Sequence, residues 1–199
     1  MIGTAARRYL LGAIVLPGAV GAVGLAALLG PWSPLALDGA NARYTAGDSM
    51  GAETAYAALT ESWRAPGTRA EAATRAGLLA LARGDAREAA ERLRRAVDLQ
   101  PDADRRAEVR AQLAGIYRDQ LEDPVRAAEA YEAAALDREG AASLVAAAVC
   151  WERAGSPDRA LDRWMRAMSA PGDASARAEA AAGLLRAERA MGAVAEAEP

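Results

Sequence analysis

At 199 residues and a formal net charge of −3, the chain has room for one domain and an appendage, and its interspersed charge leaves no basic footprint for nucleic acid. It has no His, which removes Ser/His and Cys/His nucleophile pairs and His-based metal sites. Its one cysteine, Cys150, can form neither an internal disulfide nor a thiolate cluster. All 24 basic residues are Arg, a bias that with the Ala richness fits a GC-rich coding sequence and needs no functional reason.

The amino-terminal stretch is read first. Arg7-Arg8 precede an uncharged run from Tyr9 to Leu37, and the first charge after it is Asp38. Its most apolar part, Leu10 to Leu29, is about 20 residues, the length that crosses the roughly 30 Å core of a bilayer. Tyr9 and Trp32 bracket it as interfacial aromatics do. The pattern predicts a cytoplasmic segment at 1–8, a transmembrane helix at 9–31 acting as a signal anchor, a linker at 32–36 and a folded domain at 37–199. The paired arginines then put the amino terminus inside a bacterial-type cytoplasmic membrane and the folded domain on its outer, periplasmic side. A cleaved signal peptide is the competing reading, with Ala40-Asn41-Ala42 as its site. The anchor is preferred because the run exceeds the usual apolar core of such a peptide, and the site lies beyond it inside a helical pattern. Gly12, Gly18, Gly21 and Gly24 make one face of the span small, which composition alone explains. Pro17 is placed to kink it.

Beyond residue 37 the sequence repeats. Ala89, Leu93 and Ala96 follow the turn Gly84-Asp85, and Pro101 closes that unit. The same spacing recurs as Ala52, Tyr56 and Leu59, as Ala127, Tyr131 and Ala134, and as Ala160, Trp164 and Ala167. Their first members lie 37, 38 and 33 residues apart (52 to 89, 89 to 127, 127 to 160), as fixed helices joined by variable loops would. Steps of three and four put each trio on one helix face, where small residues admit a neighbouring helix and the bulky one fills the gap. Asp85, Asp123 and Ser156 are placed to cap the helices they precede, and Pro124 and Pro157 suit first turns. The third turn, Glu122-Asp123-Pro124, lacks Gly and is one residue longer. Ser175 to Met191 reads as a last, unpaired helix.

This pattern resembles the tetratricopeptide repeat (TPR), a helix-turn-helix unit of about 34 residues. The resemblance covers about Leu37 to Gly192. It implies an all-α fold: a right-handed α-solenoid of about four units plus a carboxyl-terminal capping helix, here preceded by one transmembrane helix. It also implies that the first helices line a groove for a protein partner. Helical phase carries the groove onto Glu71, Thr74, Leu78 and Leu81, then Glu108, Ala111, Arg118 and Asp119. It continues through Val145, Val149, Glu152 and Arg153 to Arg186 and Arg189 on the last helix. The partner-binding candidates are Leu78, Leu81, Arg118, Val145, Val149, Glu152, Arg153, Arg186 and Arg189. An apolar segment with acidic flanks fits them, since Arg pairs carboxylates well. Some family members clamp a terminal carboxylate with Lys and Asn. Here Lys is absent and Asn41 is the only Asn, with Leu78 and Gly115 at the equivalent places, so that clamp is disfavoured.

Three groups are weighed separately. Cys150 beside Trp151 reads as a buried small apolar residue rather than a reactive thiol. Trp63 either staples the loop between the first two units or lies at the membrane surface. Glu129 and Glu132, at helical spacing, read as a solvated face rather than an acid-base pair. No catalytic, metal or cofactor residues are expected. The chain reads as a non-enzymatic, membrane-anchored scaffold for a partner protein, serving assembly of a membrane complex or forming a subunit of one. The alternative is a spacer that docks through its transmembrane helix, with the repeats self-associating.

Overall fold

The computed structural model describes residues 35–172 and 174–197. Among them the chain forms nine helices and no strand: α1 (Leu35–Thr45), α2 (Ser49–Thr60), α3 (Pro66–Ala82), α4 (Ala86–Leu99), α5 (Ala103–Asp119), α6 (Pro124–Asp137), α7 (Ala141–Arg153), α8 (Pro157–Ser169) and α9 (Ala174–Ala197). Each of the first eight pairs with its successor, and successive pairs stack in chain order. The result is four helix-turn-helix units and an unpaired last helix packed on α8 and α7. The expected span at 9–31 lies outside the described residues. No described helix is long and apolar enough to cross a membrane.

The repeat trios form the stacking faces. Ala89, Leu93 and Ala96 are each fully buried, as are Ala160, Trp164 and Ala167. α3 is shared: it presents Ala72 and Ala76 to a cluster with Ala40, Ala52, Tyr56 and Leu59, and Ala73 and Ala80 to the larger core that runs to Ala180.

The turns follow from local chemistry. Gly47, Gly84 and Gly155 take positive φ between the helices of units one, two and four. Unit three has no Gly there, and Glu122 occupies the left-handed region at φ 51° instead. Asp48, Asp85 and Asp123 accept bonds from the amides of Gly51, Glu88 and Arg126 at 2.9, 3.0 and 3.0 Å. Asp102 caps α5 in the same way, accepting from Arg105 N at 2.9 Å. Ser156 differs from expectation: it occupies the cap position of α8, but its side chain makes no capping bond. Pro124 and Pro157 begin their helices as expected.

Gly84 isolates the conformational term, because no atom beyond its two chain neighbours lies within 4 Å of the methyl that Ala would add. Gly84→Ala is therefore expected to destabilise by about 1 kcal/mol through backbone strain alone. Urea unfolding would show this as a lower midpoint with an unchanged slope.

Candidate partner-binding groove

The first helices line a recess of about 450 Å³ at the amino-terminal half of the solenoid. Its wall takes Tyr44 from α1, Glu71, Thr74, Arg75 and Leu78 from α3, and Arg105, Glu108 and Gln112 from α5. Leu78 is 42 % exposed and Tyr44 52 %, which gives the recess an accessible apolar surface within a polar rim. At its side Asn41 Oδ1 accepts from Tyr56 OH at 2.6 Å and from Arg75 Nη1 at 2.8 Å. The only Asn of the chain therefore ties units one and two together. Arg75 also donates to Glu71 at 2.7 Å, so this wall is held by its own ion pair.

The expected groove residues divide. Glu71, Thr74, Leu78 and Glu108 come together in the recess. Leu81 and Ala111 are partly buried against the core. Val145 lies within that core at 6 % exposure, and Val149 packs against it, so the two do not form the open strip that helical phase implied. α7 buries Ala141, Leu144, Val145, Ala147, Ala148, Cys150 and Trp151. The face left open runs through Ala142, Ala146, Val149 and Arg153, exposed or half-buried, and Val145 lies beside it rather than on it.

Of the four candidate arginines, Arg118 and Arg186 are engaged within the protein itself. Arg118 Nε and Nη2 each donate to Asp119 at 2.7 Å, and its guanidinium lies 5.9 Å from the Tyr131 ring centroid. That bidentate bond holds the Asp119 carboxyl below its ordinary range and keeps Arg118 firmly charged. Glu152 accepts from Trp164 Nε1 at 3.0 Å and pairs with Arg186 at 3.9 Å, while Arg186 stands 5.7 Å from the Trp164 ring. Arg153 and Arg189 are exposed.

Glu132 corrects another expectation. It is not a solvated acid: it accepts from Trp151 Nε1 at 2.5 Å and from Arg163 Nε at 2.8 Å, linking units three and four. Glu129 is exposed. Cys150 is fully buried, and burial pushes its thiol above the ordinary range, so the nucleophilic thiolate is disfavoured. Among the described residues no group of three or more Cys, Asp or Glu is arranged to hold a metal ion. The phase argument missed Tyr44, Arg105 and Gln112. Arg105 and Gln112 stand three before and four after Glu108, so the same helical step could have found them. Tyr44 carries no such signal, because it reaches the recess from the neighbouring unit.

No family model matches the chain, and no curated protein matches it. Solved structures do. MamA is 18 % identical with a TM-score of 0.51, over 79 % of this chain and 96 % of that one. A Podosopora anserina protein, described as a kinesin light chain with nearly identical TPR-like repeats, is 19 % identical with a TM-score of 0.54, over 82 % and 88 %. BtubC from P. vanneervenii is 20 % identical with a TM-score of 0.52, over 99 % and 95 %. At these identities the likeness shows the fold: this chain is an all-helical solenoid of the tetratricopeptide type.

Proposed function

We propose that this chain is a non-catalytic scaffold, tethered to a membrane through residues 9–31, which holds a partner protein in the recess between α1, α3 and α5. The observation that carries the reading is the recess itself, with accessible Leu78 and Tyr44 framed by Glu71, Arg105 and Glu108. An apolar residue of the partner enters against Leu78, and polar flanks meet the rim. Such an arrangement suits reversible capture during assembly of a membrane complex, on the outer side of a bacterial-type cytoplasmic membrane. The tether, rather than a cleaved peptide, is favoured by α1. The candidate cleavage site at Ala40-Asn41-Ala42 lies inside that helix, with Ala40 buried and Asn41 bonded to the next unit. Cleavage after Ala42 would remove residues 35–42, eight of the 11 residues of α1.

The test is capture of partners by the full chain, purified from its membrane in mild detergent at native abundance. Leu78→Asp changes an exposed side chain and is expected to weaken capture about tenfold, equivalent to 1.4 kcal/mol. A chain that remains monomeric and alone would sink the scaffold reading. Replacing residues 9–31 by an unrelated apolar helix separates the alternatives. Retained capture supports the recess; lost capture moves docking to the span and leaves the repeats as spacer or self-association surface.

A further inference from the structure

We infer that the solenoid edge holding the start of α1 and the α2–α3 loop rests on the lipid surface, with Trp63 entering the headgroup region. The inference rests on the tether proposed above. Each unit runs up one helix and down the next, so the chain returns to one edge at every inter-unit loop. The start of α1 shares that edge: Ala36 and Leu37 pack in the same cluster as Leu59, near the end of α2. Trp63 stands four residues beyond Leu59 and is 62 % exposed.

Chain length bounds where this edge lies. Residue 31 ends the expected span and residue 35 begins α1. Four Cα steps reach about 14 Å at most, so the start of α1 stays within that distance of the end of the span. A Trp side chain, apolar in body with one N–H donor, is suited to the interfacial zone. Leu136 and Met168, 77 % and 41 % exposed, lie near the ends of α6 and α8 and so along the same edge. The opposite edge also carries exposed apolar groups, Tyr44, Met50 and Val125. It stands farther from the tether by the length of α1, about 16 Å for 11 residues. Exposure alone therefore does not choose the membrane edge; the tether does.

The experiment uses the full chain in phosphatidylcholine nanodiscs, with lipid brominated near the headgroup end of the acyl chain. Trp32→Phe removes the tryptophan beside the span. Trp151 and Trp164, 2 % and 0 % exposed, supply a constant background. Brominated lipid is expected to remove more emission from the Trp32→Phe protein than from Trp32→Phe/Trp63→Phe. Adding Met50→Trp to the double variant is expected to leave quenching at the background level. Equal quenching with and without Trp63 overturns the inference, as does quenching of the tryptophan at position 50. Shielding of Trp63 from aqueous iodide without quenching by bromine assigns it to a second copy and also overturns it. A chain released from membranes by carbonate removes the tether itself, and that outcome is distinct from an anchored chain whose Trp63 remains in water.

Discussion

Trp164→Ala is expected to cost about 3–5 kcal/mol and to release α9 before the rest of the solenoid. The indole is fully buried in α8, its N–H bonds Glu152 at 3.0 Å, and Arg186 of α9 lies over its ring. Gly183 explains why α9 comes so close: a methyl there would lie 2.4 Å from Cε2 of the indole and 2.5 Å from Cδ2. Truncating the ring thus opens a cavity, strips Glu152 of a donor and removes the surface on which the capping helix lies. For a chain of this size the melting temperature should fall by roughly 10 °C. Amide exchange should show residues of α9 losing protection ahead of α4 and α5. Trp164→Phe keeps most of the apolar area and is expected to cost only about 1 kcal/mol, the net worth of the lost bond. Equal losses from the two variants would mean that burial of the ring is not what holds the cap.

Leu93→Ala has the second largest expected effect, about 2–5 kcal/mol. Leu93 is fully buried and meets α3 at Gly77, where an added methyl would stand 3.1 Å from Leu93 Cγ and 3.2 Å from the Ala89 carbonyl oxygen. Gly77→Ala alone is expected to lose about 1 kcal/mol, since crowding outweighs the gain in helix propensity. In the Leu93→Ala background the methyl enters vacated space, and the same change should become neutral or stabilising. The Ala89 carbonyl still crowds it, so the rescue is partial. Urea unfolding of the four proteins measures the coupling, expected between about 0.5 and 2 kcal/mol. Additive losses would show that α3 and α4 do not meet through this pair.

What the sequence made legible was whatever repeats. Ala89, Leu93 and Ala96 identify a stacking face because every unit must bury the same positions, and Asp85 and Asp123 identify helix starts because capping is local. Glu122 was not legible: nothing in its neighbourhood says that a glutamate will take the left-handed conformation in place of Gly. Ser156 stands at a cap position without capping, because occupying the position does not fix the rotamer. The site was legible only where one helix face decides. Leu78 and Glu108 came from phase along α3 and α5. Val145 was lost because α7 is covered by α6, α8 and α9 together. Glu132 and Asn41 gained their roles from residues 15 to 34 positions away, which no short spacing encodes.

The division of the core at α3 has a mechanical meaning. Unit one keeps its own small apolar cluster, and only Ala72, Ala76 and Leu79 of α3 join it from the next unit. A load applied at Leu35 would meet that cluster first, together with the Asn41–Arg75 bond and the pairing of Glu53 with Arg83 and Arg92. In a stack where each unit touches only its neighbours, pulling peels units in order. Force applied at the amino-terminal end of the described residues is therefore expected to open α1 and α2 first, while Leu93 and the core behind it stay folded.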